Sequence, residues 1–229
     1  MSVVSPNPEV ASNTDVVFSP SLESLVLQRF TDYAELCRPR IAVMTMVAVS
    51  VGFTLGSPIV FDGRTLLLAM FGIVQLVAAS SILNQCIERA SDGRMQRTLS
   101  RPIAAGRVSV VEAGVLAIGL TILGTVILWR LVNPLTAAAT LATLLLYLFG
   151  YTILKNRTSL CTTIGAIPGA APPVLGWLAA GKDFGIEALA LFALFFVWQF
   201  PHFLAIGWIY RSDYRAAGLN RRRHCVCFF

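Results

Sequence analysis

The sequence has few charged residues, and this scarcity decides its class. Asp, Glu, Lys and Arg together make up 13% of the 229 residues, whereas hydrophobic residues make up 56%. An ordinary soluble domain carries about 25% charged residues, so the composition excludes that class. Uncharged apolar runs of the roughly 20 residues that cross a bilayer recur along the chain. The sequence therefore predicts a membrane protein that crosses the bilayer several times.

The alternating short segments of a transmembrane β-barrel are also missing. The apolar runs are continuous, and a backbone inside lipid must form its own hydrogen bonds, so each run is predicted to be a helix. Six spans are predicted, at residues 41–56, 65–84, 109–129, 134–154, 160–180 and 186–209. The predicted fold class is an all-α, polytopic membrane helical bundle.

Two further absences concern processing of the chain. The five cysteines are odd in number and scattered, so they do not indicate a disulfide framework. The N-terminal residues carry no basic region followed by an apolar core, which excludes a secretory signal peptide. We expect residues 1–36 to form a disordered leader, residues 37–218 the membrane domain and residues 219–229 an atypical basic tail.

The basic residues are unevenly distributed around the predicted spans. With the N-terminus placed in the cytoplasm, all but three of the 18 lie on the inner side, and the exceptions are Arg64, Arg130 and Lys182. This positive-inside asymmetry favours a cell-membrane protein with cytoplasmic inner loops, and it argues against nucleic acid as the partner of the net charge of +6. The longer inner connections hold most of the ionisable residues, so we expect the working face there.

The first inner connection, NQCIERASDGRMQRTLSRP at residues 84–102, is unusually rich in charge. Asn84, Glu88 and Asp92 follow at i, i+4 and i+8, so they share one face if the second span continues as a helix to Asp92. Neighbouring carboxylates repel each other, and a divalent cation removes that penalty. Mg²⁺ takes hard oxygen ligands, typically one or two carboxylates together with substrate phosphates.

Arginines in and after the same connection supply a complementary half. Guanidinium groups bind phosphate oxygens through paired hydrogen bonds, and the arginines in question are Arg94, Arg97, Arg101 and Arg107. The segment therefore predicts a magnesium-diphosphate site. The alternative interpretation is a solvated loop that only sets topology. The position of Asn84 inside the apolar run argues against that alternative, because polar groups within a membrane are unfavourable.

The other inner connections leave two interpretations open. Lys155 and Arg157 either contact phosphate or anchor the end of the fourth span. Asp213 either holds a second metal or orients a diphosphate, or it forms a surface ion pair with a neighbouring arginine. In the sixth span Pro201 is expected to bend the helix, and His202 faces a cofactor, a metal or a neighbouring carbonyl. The prolines and glycines of the fifth span suit either a helix around a cavity or tight packing.

Four blocks carry a resemblance to a known family. They are CRPRIAVMTMVAVSVGFTLG, NQCIERASDGRMQRTLSRPIAAGRVS, YTILKNRTSLCTTIGAIPGAAPPVLGW and VWQFPHFLAIGWIYRSDYRAAG, and they run in family order from about residue 34 to Gly218. The chain resembles the heme O synthases, or protoheme IX farnesyltransferases, within the UbiA-type intramembrane prenyltransferases. The resemblance implies a helical enzyme with a central cavity open to lipid. It also implies transfer of a farnesyl group from farnesyl diphosphate to a vinyl group of heme B, with Mg²⁺ as cofactor.

The resemblance assigns a role to each candidate residue. It implies catalytic roles for Asn84, Glu88, Asp92 and Asp213, of which the three acids are the metal ligands. It implies diphosphate contacts for Arg97, Arg101, Lys155, Arg157 and Tyr210. His202 is the candidate heme contact, and Glu88 stands where many relatives carry Asp. The implied partners are the two substrates, membrane lipid, and heme A synthase or oxidase assembly proteins.

One departure from the family and three rival functions remain as expectations. Family members carry about nine spans, whereas six are predicted here and the resemblance stops after Gly218, which predicts a truncated chain with weak or no activity. The nearest rival is another UbiA-type enzyme that prenylates a quinone precursor or a chlorophyll-type acid. The others are a transporter or cation channel with intramembrane acids, and an inactive assembly partner.

Overall fold

The computed structural model describes residues 21–57, 61–94, 96, 98–152 and 161–209. All regular structure in these ranges is helical, which confirms the all-α fold class. The helices are α1 (Leu22–Leu36), α2 (Pro39–Gly56), α3 (Gly63–Asp92), α4 (Val110–Leu131), α5 (Pro134–Leu145), α6 (Cys161–Ala179) and α7 (Ile186–Ile209). A π-helical segment, Leu146–Thr152, continues α5 directly.

Each of the six predicted spans contains a helix, but the helices differ in length. Four are long and apolar enough to cross a bilayer, namely Pro39–Gly56, Gly63–Asp92, Val110–Leu131 and Ile186–Ile206. Two apolar stretches are shorter, Pro134–Gly150 in α5 and its π-helical continuation, and Thr163–Ala179 in α6. Apolar side chains on the outer surface of α4 are exposed, as expected of a surface that lipid covers. The chain is a multi-pass membrane protein, and the count of six spans stays a prediction.

Helix α1 lies where a disordered leader was expected. Ser21 caps its beginning, because its side-chain oxygen accepts a hydrogen bond from the Ser24 backbone N–H. Asp32 and Leu36 are buried against later parts of the chain. The expectation of disorder is therefore wrong for residues 22–36, because contacts with distant segments stabilise this helix and local composition does not reveal them. Residues 1–20 and the basic tail lie outside the described residues.

Small residues bring two pairs of helices into close backbone contact. A Cβ atom added at Gly52 of α2 would lie 1.8 Å from the carbonyl oxygen of Pro173 in α6, and one at Gly176 would lie 2.0 Å from a backbone oxygen of α2. A Cβ atom at Gly124 of α4 would lie 2.7 Å from the carbonyl oxygen of Gly72 in α3. Only glycine fits such crossings, which are typical of helix packing in membranes. For Gly176, tight packing explains its place in the small-residue run of the fifth predicted span.

Prolines interrupt neither of the last two helices. Helix α6 continues through three prolines, and α7 continues through Pro201. The bend expected at Pro201 stays a prediction.

Asn133 joins α5 to α6, because its side-chain oxygen caps α5 and its Nδ2 donates to the Leu178 carbonyl at 2.9 Å.

Candidate active site

Helix α3 carries the first three predicted site residues. It continues unbroken to Asp92, beyond the predicted end of the second span, as the spacing of polar residues required. Asn84, Glu88 and Asp92 are 2%, 6% and 1% exposed, so this face of the helix is turned into the protein. The predicted shared face is confirmed. The catalytic and metal-binding roles of these residues stay predictions.

The connection after α3 folds back over the end of that helix. The Arg101 side chain, 12% exposed, donates from Nη1 to Oδ2 of Asp92 at 2.6 Å. The Thr98 hydroxyl donates to the Asp92 backbone carbonyl at 2.9 Å, which satisfies one of the carbonyls that a helix end leaves unpaired. Asp92 therefore binds Arg101 through its carboxylate and Thr98 through its backbone carbonyl.

Arg38 joins the same region, although in the sequence it is only one of the basic residues on the predicted inner side. It is the N-cap residue of α2 and adopts a left-handed backbone with φ of 50°. Such a conformation is unfavourable for a residue other than glycine and is concentrated at functional sites. The following proline, Pro39, disfavours a right-handed helical backbone at Arg38. The backbone before α2 thus directs a guanidinium group toward the end of α3.

Electrostatic interactions connect Arg38 with both halves of the predicted site. Burial lowers the pKa of the Arg38 guanidinium, and the like charge of Arg101 lowers it further. Tyr147, Glu88 and Asp92 act in the opposite direction. A guanidinium group keeps its proton at physiological pH despite such a shift. We refer to Arg38, Asn84, Glu88, Asp92 and Arg101 as the acid–arginine site.

Two buried atoms of the acid–arginine site are unsatisfied. Asp92 Oδ1 and Arg38 Nη2 have no hydrogen-bond partner among the described residues. A buried polar atom left in this state costs about 1–3 kcal/mol, so native proteins rarely keep one without a reason. One atom is an oxygen acceptor and the other is a cationic donor. Together they offer binding capacity to a ligand that carries both a metal ion and anionic oxygens.

The donor set at the end of α3 fits Mg²⁺. It consists of two carboxylates and a carboxamide, all hard oxygen donors, and Asp92 Oδ1 is available. Within the described ranges, no group of three or more His, Cys, Asp or Glu side chains gathers. Two carboxylates, those of Glu88 and Asp92, are a number of acidic ligands typical of Mg²⁺ sites that a substrate phosphate completes. Asp213, the predicted third acid, lies outside the described residues.

Arg107 does not belong to the site, although it was grouped with the phosphate-binding arginines. Its Nε donates to Oδ1 of Asp32 at 2.7 Å, and its Nη2 donates to the Ser100 carbonyl at 2.9 Å. A second carboxylate, that of Glu35, lies 3.4 Å from Nη2. This arginine therefore holds α1 against the loop. Arg94 is exposed.

Five predicted site residues lie outside the described residues, namely Arg97, Lys155, Arg157, Tyr210 and Asp213.

The π-helical segment leads toward the second predicted connection, and its Tyr147 interacts with Arg38. Single π-helical turns are frequent at functional sites. Tyr147 and Arg38 are the residues that sequence reasoning missed.

His202, the candidate heme contact, lies on α7 and is half-buried. Its ring stacks on Trp198 of the same helix, with 4.8 Å between ring centroids and 15° between planes. It also lies 5.9 Å from the ring of Phe203. The contact with heme stays a prediction.

The fold and the site define a class of protein. It is a multi-pass helical membrane protein with an acid–arginine site where α3 ends and α2 begins. The chain belongs to the UbiA prenyltransferase family, whose sequence profile matches residues 45–221. Solved structures share its fold. A UbiA homolog from Archaeoglobus fulgidus bound to GPP and Mg²⁺ is 21% identical, with a TM-score of 0.65 over 82% of this chain and 66% of that one. A digeranylgeranylglyceryl phosphate synthase has a TM-score of 0.66 at 18% identity, over 82% of this chain and 66% of that one.

Curated relatives are more similar in sequence. A protoheme IX farnesyltransferase from Koribacter versatilis is 43% identical over 192 residues, which cover 82% of this chain and 62% of the relative. A protein of the same name from Solibacter usitatus is 41% identical over 198 residues, covering 82% of this chain and 68% of the relative. The chain thus spans about two thirds of the length of the relatives it matches.

Proposed function

We propose that this chain transfers a farnesyl group from farnesyl diphosphate to a vinyl group of heme B, or protoheme IX, to give heme O. The observation that carries the proposal is the acid–arginine site, in which Asp92 Oδ1 and Arg38 Nη2 are buried and lack partners among the described residues. The similarity to protoheme IX farnesyltransferases supports the choice of prenyl donor and acceptor.

The proposed site binds the diphosphate through charge and hydrogen-bond geometry. Arg38 and Arg101 present guanidinium groups to the phosphate oxygens, and each group donates two hydrogen bonds in parallel to such a ligand. Asn84, Glu88 and Asp92 supply the oxygen ligands for Mg²⁺. When bound, Mg²⁺ neutralises negative charge on the diphosphate and so favours its departure.

The chemistry then needs stabilisation of one charge and protection of the other. The bond between the farnesyl C1 and the diphosphate oxygen breaks, and both electrons leave with the diphosphate, where the two arginines stabilise the new negative charge. The vinyl π electrons of heme form a bond to the farnesyl cation, and water adds to the resulting cation and releases one proton. The apolar helices protect the farnesyl cation by excluding water until the acceptor has reacted.

The proposal places this reaction at the cytoplasmic face of the cell membrane. The excess of arginine in the inner connections favours that orientation, and both substrates are amphiphiles that reside in the bilayer. Heme A synthase and oxidase assembly proteins are the proposed partners, since they use the product.

Conversion of heme B in membranes tests the proposal. We expect formation of heme O that requires both farnesyl diphosphate and Mg²⁺, and a separate binding measurement with labelled farnesyl diphosphate should show affinity that EDTA abolishes. Asp92→Asn should reduce turnover by about 10²-fold or more, because the carboxylate orients Arg101 and the metal. The matched control is Asp62→Asn, in which the new side chain still caps the opposite end of α3.

Other outcomes of the same assay separate the rival functions. Prenylation of an aromatic acid in place of heme would assign the chain to another acceptor class. Ion flux in liposomes without consumption of diphosphate would indicate a transporter. Full turnover in Asp92→Asn would contradict the site assignment itself.

A further inference from the structure

Helix α1 lies at the level where three membrane helices begin or end. Its Tyr33 hydroxyl donates to Glu112 in the first turn of α4. The carbonyl of Leu36 accepts a hydrogen bond of 2.9 Å from Gln85 in the last turns of α3. Only Cys37 and Arg38 separate α1 from α2. The helix therefore lies beside the same end of three membrane helices, the starts of α2 and α4 and the end of α3.

The faces of α1 have three different surroundings. One face contacts the protein through the buried residues Asp32 and Leu36. A second face carries an apolar stripe, Leu22, Val26 and Phe30, which follow at i, i+4 and i+8 and are 79%, 63% and 70% exposed.

The third face is polar and lies opposite the apolar stripe. On a period of 3.6 residues, Ser24, Gln28, Thr31 and Glu35 project to the side away from Val26, and all four are exposed. A helix at a membrane boundary needs this arrangement, with one side against the protein, one against lipid and one against water.

We propose that α1 is an interfacial helix whose apolar stripe inserts at the boundary between the lipid headgroups and the acyl chains. Helix α2, which begins only two residues after α1, also exposes apolar residues, starting one turn after Pro39 with Val43 and Met44. Because α2 is long and apolar enough to cross a bilayer, its proximity favours lipid over a soluble protein as the occupant of the apolar stripe. The inference does not depend on the proposed reaction.

The charge of α1 indicates how it binds. The helix contains three acids, Glu23, Asp32 and Glu35, and one base, Arg29. Attraction to anionic headgroups therefore contributes little, and apolar insertion is the driving interaction. We expect the depth of insertion to be the same in zwitterionic bilayers and in bilayers that contain anionic lipid.

Spin-label accessibility in lipid nanodiscs tests the inference on the full chain. Labels are attached to Val26→Cys or Phe30→Cys, and to the matched control Thr31→Cys on the polar face, with the native cysteines replaced by alanine. Labels on the apolar stripe should collide several-fold more often with dissolved oxygen than with a water-soluble nickel chelate. The label at residue 31 should show the reverse preference.

Three results would overturn the inference. Equal access of the nickel chelate to residues 26 and 31 would place α1 in water. Low access of both reagents at residue 26 would indicate that protein covers the stripe, and dipolar broadening between labels would identify that protein as a second copy of this chain. A change in depth with anionic lipid would contradict insertion driven by apolar contact.

A second measurement uses a chain with its native cysteines. Val26→Ser combined with Phe30→Ser should make α1 several-fold more sensitive to protease in nanodiscs, whereas Gln28→Ala combined with Thr31→Ala should not. Equal sensitivity of the two double variants would also count against insertion.

Discussion

Two groups of acids and arginines lie at the same end of the bundle, and they differ in how completely their charges are satisfied. In the acid–arginine site Asn84, Glu88 and Asp92 are buried, yet Asp92 and Arg38 each keep a buried atom without a partner among the described residues. The second group, which we term the α1 contact group, consists of Asp32, Tyr33, Glu35, Arg107 and Glu112. There Arg107 bonds to Asp32 and a backbone carbonyl, and Tyr33 donates to Glu112.

The difference favours a functional role for the first group and a structural role for the second. Stability is best served when every buried charge has a partner, because an unpaired one carries the penalty of lost hydration. The α1 contact group approaches that condition. The acid–arginine site departs from it, and such departures are expected where a protein keeps binding capacity for a ligand at some expense of stability. Charge content alone does not distinguish the two groups, but the pairing of individual atoms does.

The largest expected effect is that of replacing Arg101, whose guanidinium group contacts Asp92. Arg101→Gln removes the charge that we propose stabilises the departing diphosphate, so turnover of heme B should fall by about 10²–10³-fold. Heme O formation at saturating farnesyl diphosphate measures this loss, and circular dichroism shows whether the helices persist. A decrease of less than threefold would place Arg101 among the structural arginines.

Replacing Arg38 should weaken substrate binding without lowering the stability of the fold. Arg38→Gln removes the proposed charge-assisted contact to diphosphate, worth about 1.5–3 kcal/mol, so the affinity for farnesyl diphosphate should fall by about tenfold or more. The free energy of unfolding should stay the same or rise, because a buried donor without a partner has been removed. Equilibrium binding of labelled substrate and unfolding in detergent measure the two quantities. Marked destabilisation with unchanged affinity would show that Arg38 is a packing residue.

Arg107→Gln is the matched experiment in the α1 contact group. The change breaks a contact of 2.7 Å to the buried carboxylate of Asp32, so we expect a loss of about 1–3 kcal/mol in the free energy of unfolding. Affinity for farnesyl diphosphate should remain within about twofold in the folded fraction, since the Arg107 side chain contacts Asp32, Glu35 and the Ser100 carbonyl. A selective loss of affinity at unchanged stability would erase the distinction between the two groups.

The sequence predicts the elements that depend on local pattern. Apolar runs predict the helices, and the spacing of Asn84, Glu88 and Asp92 predicts that they share one face, because helical periodicity is a local property. Arg101 was included for the charge of its loop, which happens to agree with its contact to Asp92. These parts of the site needed no knowledge of distant contacts.

Other parts depend on tertiary contacts that no local pattern encodes. Arg38 and Arg107 are both arginines in loops beside a span, and only the structure shows that one turns toward the site while the other binds α1. The signal for Arg38 was its place before Pro39, which restricts its backbone. Helix α1 was missed for the same reason, since its partners Gln85, Arg107 and Glu112 are far away in sequence.

The smallest expected effect concerns pH and the α1 contact group. The hydrogen bond to Glu112 raises the pKa of Tyr33, with smaller contributions from burial and from the Glu112 charge, while Arg29 lowers it. A phenol whose pKa is raised in the folded state stabilises the fold fully below its ordinary pKa of about 10. That contribution disappears as pH rises through the folded-state pKa. Thermal unfolding of the wild type and of Tyr33→Phe should therefore show a difference that is constant near neutral pH and shrinks above about pH 10. A difference that does not change across this range would mean that the Tyr33 hydroxyl does not stabilise α1 through Glu112.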